Sequence, residues 1–284
     1  MRISGITDII CLLLVSCSSS GPHGHPLIKT LDDPEITISE EAKDALKSVG
    51  FTKCAMPFGV FIGADMNMPD EYLVTAINVV AEIFDPDRDG NVNDEAVAAE
   101  LRKWKERAWL AMPMDSEKWE NDQLPVLTGI LGYDIIIPDW WMDTKPTGVD
   151  EHARAVVVEE VIHFFHQFGY SVVYPDQFGL EDWTSVVALE CKAAECIWWQ
   201  HPENDCPGSP AEIEGDCSFP SCNVAEFYQQ VVTLRAGMTP GWFGIGFPEN
   251  KEKLEELLSQ ELKDIIDDPQ YHQIKQPLTF KYYK

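Results

Sequence analysis

The stretch FDPDRDGNVNDEAV, from Phe84 to Val97, leaves this chain fewer folding options than any other part of it. Asp85, Asp87 and Asp89 alternate with other residues and are followed at once by Gly90. Apolar residues at helical spacing flank the run on both sides. Leu73, Ala76, Ile77, Val80 and Phe84 share a face before it, behind a start signal at Asn67 and Pro69. Val97, Leu101 and Trp104 share a face after it. A helix, a tight acidic turn and a second helix are therefore expected over residues 70–107.

That arrangement is the one an EF-hand needs. Calcium takes about six to eight oxygens, supplied by such a loop from its positions 1, 3, 5, 7, 9 and 12, with glycine at 6 for the bend. Counting from Asp85, the aspartates fill the first three places, Asn91 offers its carbonyl at the seventh, Val92 is the apolar anchor, and Asn93 stands ninth. The twelfth residue is Ala96, so the bidentate carboxylate is missing, and Asp94 or Glu95 would serve only in a shortened register. The candidate calcium ligands are Asp85, Asp87, Asp89, Asn91, Asn93 and Glu95, at an expected affinity of roughly 10⁻⁴ to 10⁻³ M. The competing reading is an Asp-rich turn that caps the next helix.

The chain begins MRISGITDIICLLLVSCSSS, with one arginine, an apolar run from Ile9 to Val15 and then small residues, the layout of a secretory leader over residues 1–20. A second reading of LVSC, Leu14 to Cys17, is a bacterial lipid-attachment box, which the weakly charged start disfavours. No other stretch reaches the roughly 18 to 20 apolar residues of a membrane helix. Residues 21–284 are expected to form one secreted, extracellular domain without a membrane span. The net charge of −27 is unchanged by loss of a leader that carries one arginine and one aspartate. So acidic a surface repels nucleic acid and attracts cations, while 45% hydrophobic residues exclude a disordered acidic polymer.

Beyond the leader lie Cys54, Cys191, Cys196, Cys206, Cys217 and Cys222, an even set that in a secreted protein suggests up to three disulfides. No C-x-x-C occurs, and Cys191 and Cys196 fall on different faces of a helix, so each is expected to pair elsewhere. Other elements follow from periodicity and punctuation. A short helix is expected behind a capping box at Thr37 and Glu40, ending at Gly50. Strands are expected at FGVFIG, Phe58 to Gly63, and in DIIIPDW; helices at about 148–168, 181–199, 222–236 and 250–266; and the basic, aromatic tail LTFKYYK is expected as a strand on the acidic body. The fold class is a mostly helical α+β domain, with its disulfide-rich helical part over 148–266.

The helix VVVEEVIHFFHQFGY carries the second constellation. At 100° per residue Glu159, His163 and His166 lie within about 60° of one another. The spacing is similar to the zinc peptidase pattern H-E-x-x-H, with Glu159 in place of the first histidine, Glu160 as general base and His163 as second ligand. Zinc accepts carboxylate ligands, so Glu226 in CNVAEFYQQ or Glu190 in VALECK is the candidate third. The alternative is an ordinary amphipathic helix whose valines and phenylalanines are buried and whose Glu/His side faces water. Trp140, Trp141, Trp198 and Trp199 would suit either a carbohydrate groove or a packed core.

AEIFDPDRDGNVNDEAV, behind a leader and within an acidic body, resembles the EF-hand-bearing secreted proteins of mollusc shell matrix. A wider similarity, through EEVIHFFHQFGYSVVYP and the segment near Cys222, is to secreted animal proteins of unassigned biochemistry. The resemblance implies secretion, calcium ligation at Asp85, Asp87 and Asp89, and incorporation in calcified matrix with mineral or matrix proteins as partners. The expected function is that of a non-enzymatic acidic calcium-binding matrix protein; the alternative is a secreted zinc metallohydrolase built on Glu159, Glu160, His163 and a later glutamate.

Overall fold

The computed structural model describes residues 27–103, 109–127, 134–136, 151–181, 183–197, 220–239 and 247–283. The leader, Trp104, Trp140, Trp141, Trp198, Trp199, Cys206 and Cys217 lie outside them. The chain is α+β and mostly helical. Strand β1, Lys29–Thr30, is followed by helix α1, Glu40–Ser48; then come β2, Phe51–Ala55, β3, Ile62–Asp65, helix α2, Asp70–Phe84, and helix α3, Glu95–Leu101. β4, Leu110–Met112, and β5, Asp134–Ile135, complete a sheet of order β1-β2-β3-β4-β5. Helices α4, Glu151–Phe165, α5, Val186–Ile197, α6, Pro220–Arg235, α7, Lys251–Leu257, and α8, Gln260–Asp267, follow.

The first three strands pair antiparallel, and β3, β4 and β5 run parallel. Side chains alternate across a strand, so the sheet divides its residues between two cores. Ile62, Ala64, Leu110 and Met112 face the larger core, with α2, α4 and α6. Phe51, Phe61, Trp109 and Ala111 face the smaller one, beneath α1 and the buried Trp119. Gly63 permits this packing, because a Cβ there would stand 2.6 Å from Cζ3 of Trp109.

Several boundaries differ from those the sequence predicts. Ser39, not Thr37, caps α1, its hydroxyl accepting the Ala42 N–H at 3.2 Å. The FGVFIG strand starts late because Phe58 and Gly59 adopt left-handed backbone, φ 49° and 88°, in a turn over Pro57–Gly59. The expected helix 250–266 is two helices: Leu258 is extended, and Ser259 caps α8 by accepting the Leu262 N–H. α4 runs on through a π turn, His166–Tyr170, and a short helical turn, Ser171–Val173. The tail forms no strand among the described residues; its N–H groups go to side-chain acceptors instead.

Three disulfides beyond the leader are ruled out. Cys54 and Cys191 are buried thiols. The first has its sulfur 3.5 Å from the Lys29 carbonyl, and the second lies 3.5 Å from that of Asn223, so α5 meets α6 through a thiol contact where a bridge was expected. Cys222 is disulfide-bonded. No helix among the described residues is long and apolar enough to cross a membrane.

Candidate metal centres

Among the described residues two groups of acidic and histidine side chains bring ligand atoms within 4.8 Å of one another: Glu159, His163 and Glu226, and Asp85, Asp87 and Asp89. The first is built by two helices. α4 is apolar nearly all round, with Val157, Val158, Val161, Ile162, Phe164 and Phe165 buried, so its polar residues are drawn inside with them. The amphipathic alternative put the Glu/His side in water; Glu159 is only 8% exposed and His163 5%. α6 packs on α4 and presents Glu226. Nδ1 of His163 lies 3.4 Å from Oε2 of Glu160, and its Nε2 lies 3.5 Å from Oε2 of Glu226.

Charge in this cluster is out of balance. Three carboxylates face one imidazole, in a setting where an ion without a partner is strongly disfavoured. Burial pushes Glu159 well above the usual carboxylate range, with Glu226 and Glu160 adding repulsion against the relief given by His163. Glu160 is raised for the same reason, although His163 partly offsets it. Burial opposes the charging of His163, but Glu226 and Glu160 prevail and lift it well above the ordinary imidazole value. The cluster therefore holds protons more tightly than the same groups would in water.

Neither of the other candidates joins the group. His166 is fully buried, its Nε2 donating to the Phe178 carbonyl at 2.9 Å and its ring packed at a tilt against Tyr228, 4.1 Å between centroids. Burial holds it neutral, with a pKa pushed down to about 3. Glu190 turns away to accept the Ser259 N–H at 2.8 Å, at the cap of α8.

The second group lies in the loop between α2 and α3, whose bends are the left-handed Arg88, φ 60°, and Gly90, φ 91°. Asp85 is fully buried and accepts the N–H groups of Asp89, at 3.1 Å, and Gly90, at 2.8 Å. Asp89 accepts both the backbone and side-chain N–H of Asn91, at 2.8 and 3.1 Å. Asn93 closes the turn through its own N–H to the Phe84 carbonyl, 2.8 Å away. Burial pushes Asp85 up, but the hydrogen bond from Tyr282 and those from Gly90, Asp87 and Asp89 outweigh it and hold the carboxyl below its usual range. Asp87 is raised, chiefly by its hydrogen bond with Asp85.

Glu95 does not reach the loop's interior: it is the first residue of α3 and pairs with Arg102 at 2.6 Å. Asp94 is taken up as the cap of α3, accepting the Val97 N–H at 3.0 Å and the Tyr174 hydroxyl at 3.0 Å. The capping alternative therefore describes Asp94, while the alternate aspartates form a separate cluster. Sequence reasoning missed the partners supplied by the tail. Tyr282 donates to Asp85, and Thr279 and Lys281 donate to Glu82; the basic, aromatic LTFKYYK run was the available signal.

No family model, curated protein or solved structure matches this chain.

Proposed function

We propose that the protein is a secreted metallohydrolase in which Glu159, His163 and Glu226 hold a divalent cation of the zinc class and Glu160 is the general base. One observation carries the reading: ligand atoms of three residues from two helices converge within 4.8 Å, two of the residues buried, beside a third carboxylate, that of Glu160. The donor set, one imidazole nitrogen with carboxylate oxygens, suits zinc and its first-row neighbours. Bound there, the cation would neutralise the surplus carboxylate charge and bring the pKa of a coordinated water to about 7. Glu160, its carboxyl raised by burial and lying 3.4 Å from Nδ1 of His163, is the carboxylate beside the ligand set and would serve as the base. The acidic chain favours cationic substrates over anionic ones.

The test is elemental analysis of the secreted, disulfide-intact protein after dialysis against traces of both zinc and calcium. Near-stoichiometric zinc that His163→Ala abolishes is expected. Glu160→Gln should keep the metal and lose hydrolysis of a mixed pool of basic peptides; a fully active Glu160→Gln protein would sink the enzyme reading.

A second reading concerns the loop. Asp85, Asp87 and Asp89 bring their oxygens together as an EF-hand-like unit does, and this supports a weak calcium site. In a calcified-matrix role the chain would use that site and its −27 charge to engage mineral or matrix proteins. The calcium site is equally compatible with an enzyme, because α2 packs on α4 and the rings of Phe84 and Phe165 lie 4.7 Å apart.

A further inference from the structure

The last residues of the chain lie across the acidic loop and the end of α2. Glu82, buried in the final turn of α2, accepts the Thr279 N–H at 2.5 Å, the Thr279 hydroxyl at 2.6 Å and the Lys281 N–H at 2.8 Å. Asn78 accepts the Tyr283 N–H at 2.8 Å. Arg88, fourth in the loop, reaches both Glu82, at 3.3 Å, and the Thr279 hydroxyl, at 2.5 Å. Between these anchors the Tyr282 hydroxyl donates to Oδ2 of Asp85, the first loop position.

Each carboxylate oxygen has about two lone-pair directions. Oδ2 of Asp85 uses both, on the Gly90 N–H and on Tyr282, whereas Oδ1 receives one backbone N–H, from Asp89; the further hydrogen bond that Asp85 shares with Asp87 is the one a cation between the two carboxylates would replace. The tail therefore helps to occupy one oxygen of Asp85, and Oδ1 is the one with capacity for a cation. We propose that Tyr282 is a positioning residue for the loop cation, and that segment 278–283 is a strap whose docking and calcium binding stabilise one another. This rests on the calcium reading of the loop. Partners that orient a ligand from outside the coordination sphere typically change metal affinity by about 10- to 100-fold, and coupling of this kind is reciprocal.

Calcium titration of the full chain by calorimetry, with Tyr282→Phe beside the parent, is the test. The variant keeps the ring and loses the hydroxyl, and about tenfold weaker binding is expected. A role confined to packing would lower the melting temperature in chelator and leave the calcium affinity alone. As a second measurement on the parent, tryptic cleavage after Lys281 should be slower with millimolar calcium than with chelator. Equal calcium affinity of parent and variant, or a cleavage rate indifferent to calcium in a parent that binds it, overturns the strap alone. A parent that takes up no calcium at all overturns the calcium reading and the strap with it.

Discussion

Nε2 of His163, on α4, stands 3.5 Å from Oε2 of Glu226, on α6. This contact joins residues 63 apart in sequence on two packed helices, and it does so with groups that a solvent-free core otherwise disfavours. With Glu160 on its other nitrogen, the imidazole has a carboxylate on each side and is held in its charged form. The arrangement accommodates a proton between two carboxylates, and on the metal reading proposed above a divalent cation would take its place.

The apoprotein should therefore weaken as pH rises. Glu159 and His163 both have folded-state pKa values above their ordinary ones, so each contributes stability that is complete below its unfolded value and is lost as pH climbs through the folded value. For Glu159 the loss starts above the usual 4.5, and for His163 above 6.5. Each excess proton bound by the native state corresponds to a slope of about 1.4 kcal/mol per pH unit. Melting temperatures in chelator, taken over this range for the parent and Glu159→Gln, should decline less steeply in the variant. Parallel curves would show that Glu159 carries no such proton.

Asp87→Ala separates a calcium ligand from an ordinary loop residue. Without calcium, Asp87 shares a hydrogen bond with Asp85 that raises its own pKa, so its removal relieves repulsion and should leave the melting temperature unchanged or slightly higher. In calcium at about ten times a millimolar Kd, the parent gains about 1.4 kcal/mol, or a few degrees for a chain of this size. The variant should lose that gain. An equal drop with and without calcium would count against ligation.

Gly169 links the two centres mechanically. It sits in the π turn after α4, where a Cβ would lie 2.8 Å from Cγ1 of Val97 and 3.3 Å from Cγ of Leu101, both on α3. Overpacking of this kind costs about 1 to 3 kcal/mol, against about 1 kcal/mol returned by the better helix propensity of alanine. Gly169→Ala should lower the urea midpoint and loosen the exit helix of the loop. A midpoint at or above that of the parent would mean that Val97 gives way without strain.

Periodicity made the helices legible, because Leu73 through Phe84 and Val157 through Phe165 repeat at helical spacing whatever packs on them. The proximity of Glu159 and His163 was legible for the same reason. The choice of Glu226 over Glu190 was not, since both lie on suitable helices and only tertiary packing decides which one faces α4. Short strands such as β4 carry too few residues to show alternation, and β2 is interrupted by a register shift between Phe51 and Lys53. The fate of Cys54 and Cys191 was hidden too: an even cysteine count says nothing about which sulfurs are buried beside carbonyls. The tail reads as a strand by composition, but Glu82 and Asn78 offer its N–H groups better acceptors than a sheet edge would.

His166 gives a pH dependence of the opposite sign on the same helical run as His163. Its buried ring is kept neutral, with a pKa pushed down from 6.5 to about 3, so it contributes stability that is present above 6.5 and is lost as pH falls toward the folded value. Carboxylates with depressed values, such as Asp85, act only below their own usual 3.8, which leaves the interval between 6.5 and 4.5 as the window in which His166 is the acid-sensitive group. In that interval Glu159 acts with the opposite sign, because only its folded form keeps the proton, and comparison with a variant that shares Glu159 cancels that contribution. His166→Gln should be less stable than the parent near neutral pH, since it loses the ring packed against Tyr228. As the pH is lowered to about 5, the unfolded parent takes up a proton that its folded form refuses, whereas the glutamine takes up none in either state, so the gap in urea midpoint should narrow. A gap that stays constant across the window would show that the imidazole gains access to water or to a new acceptor when it protonates.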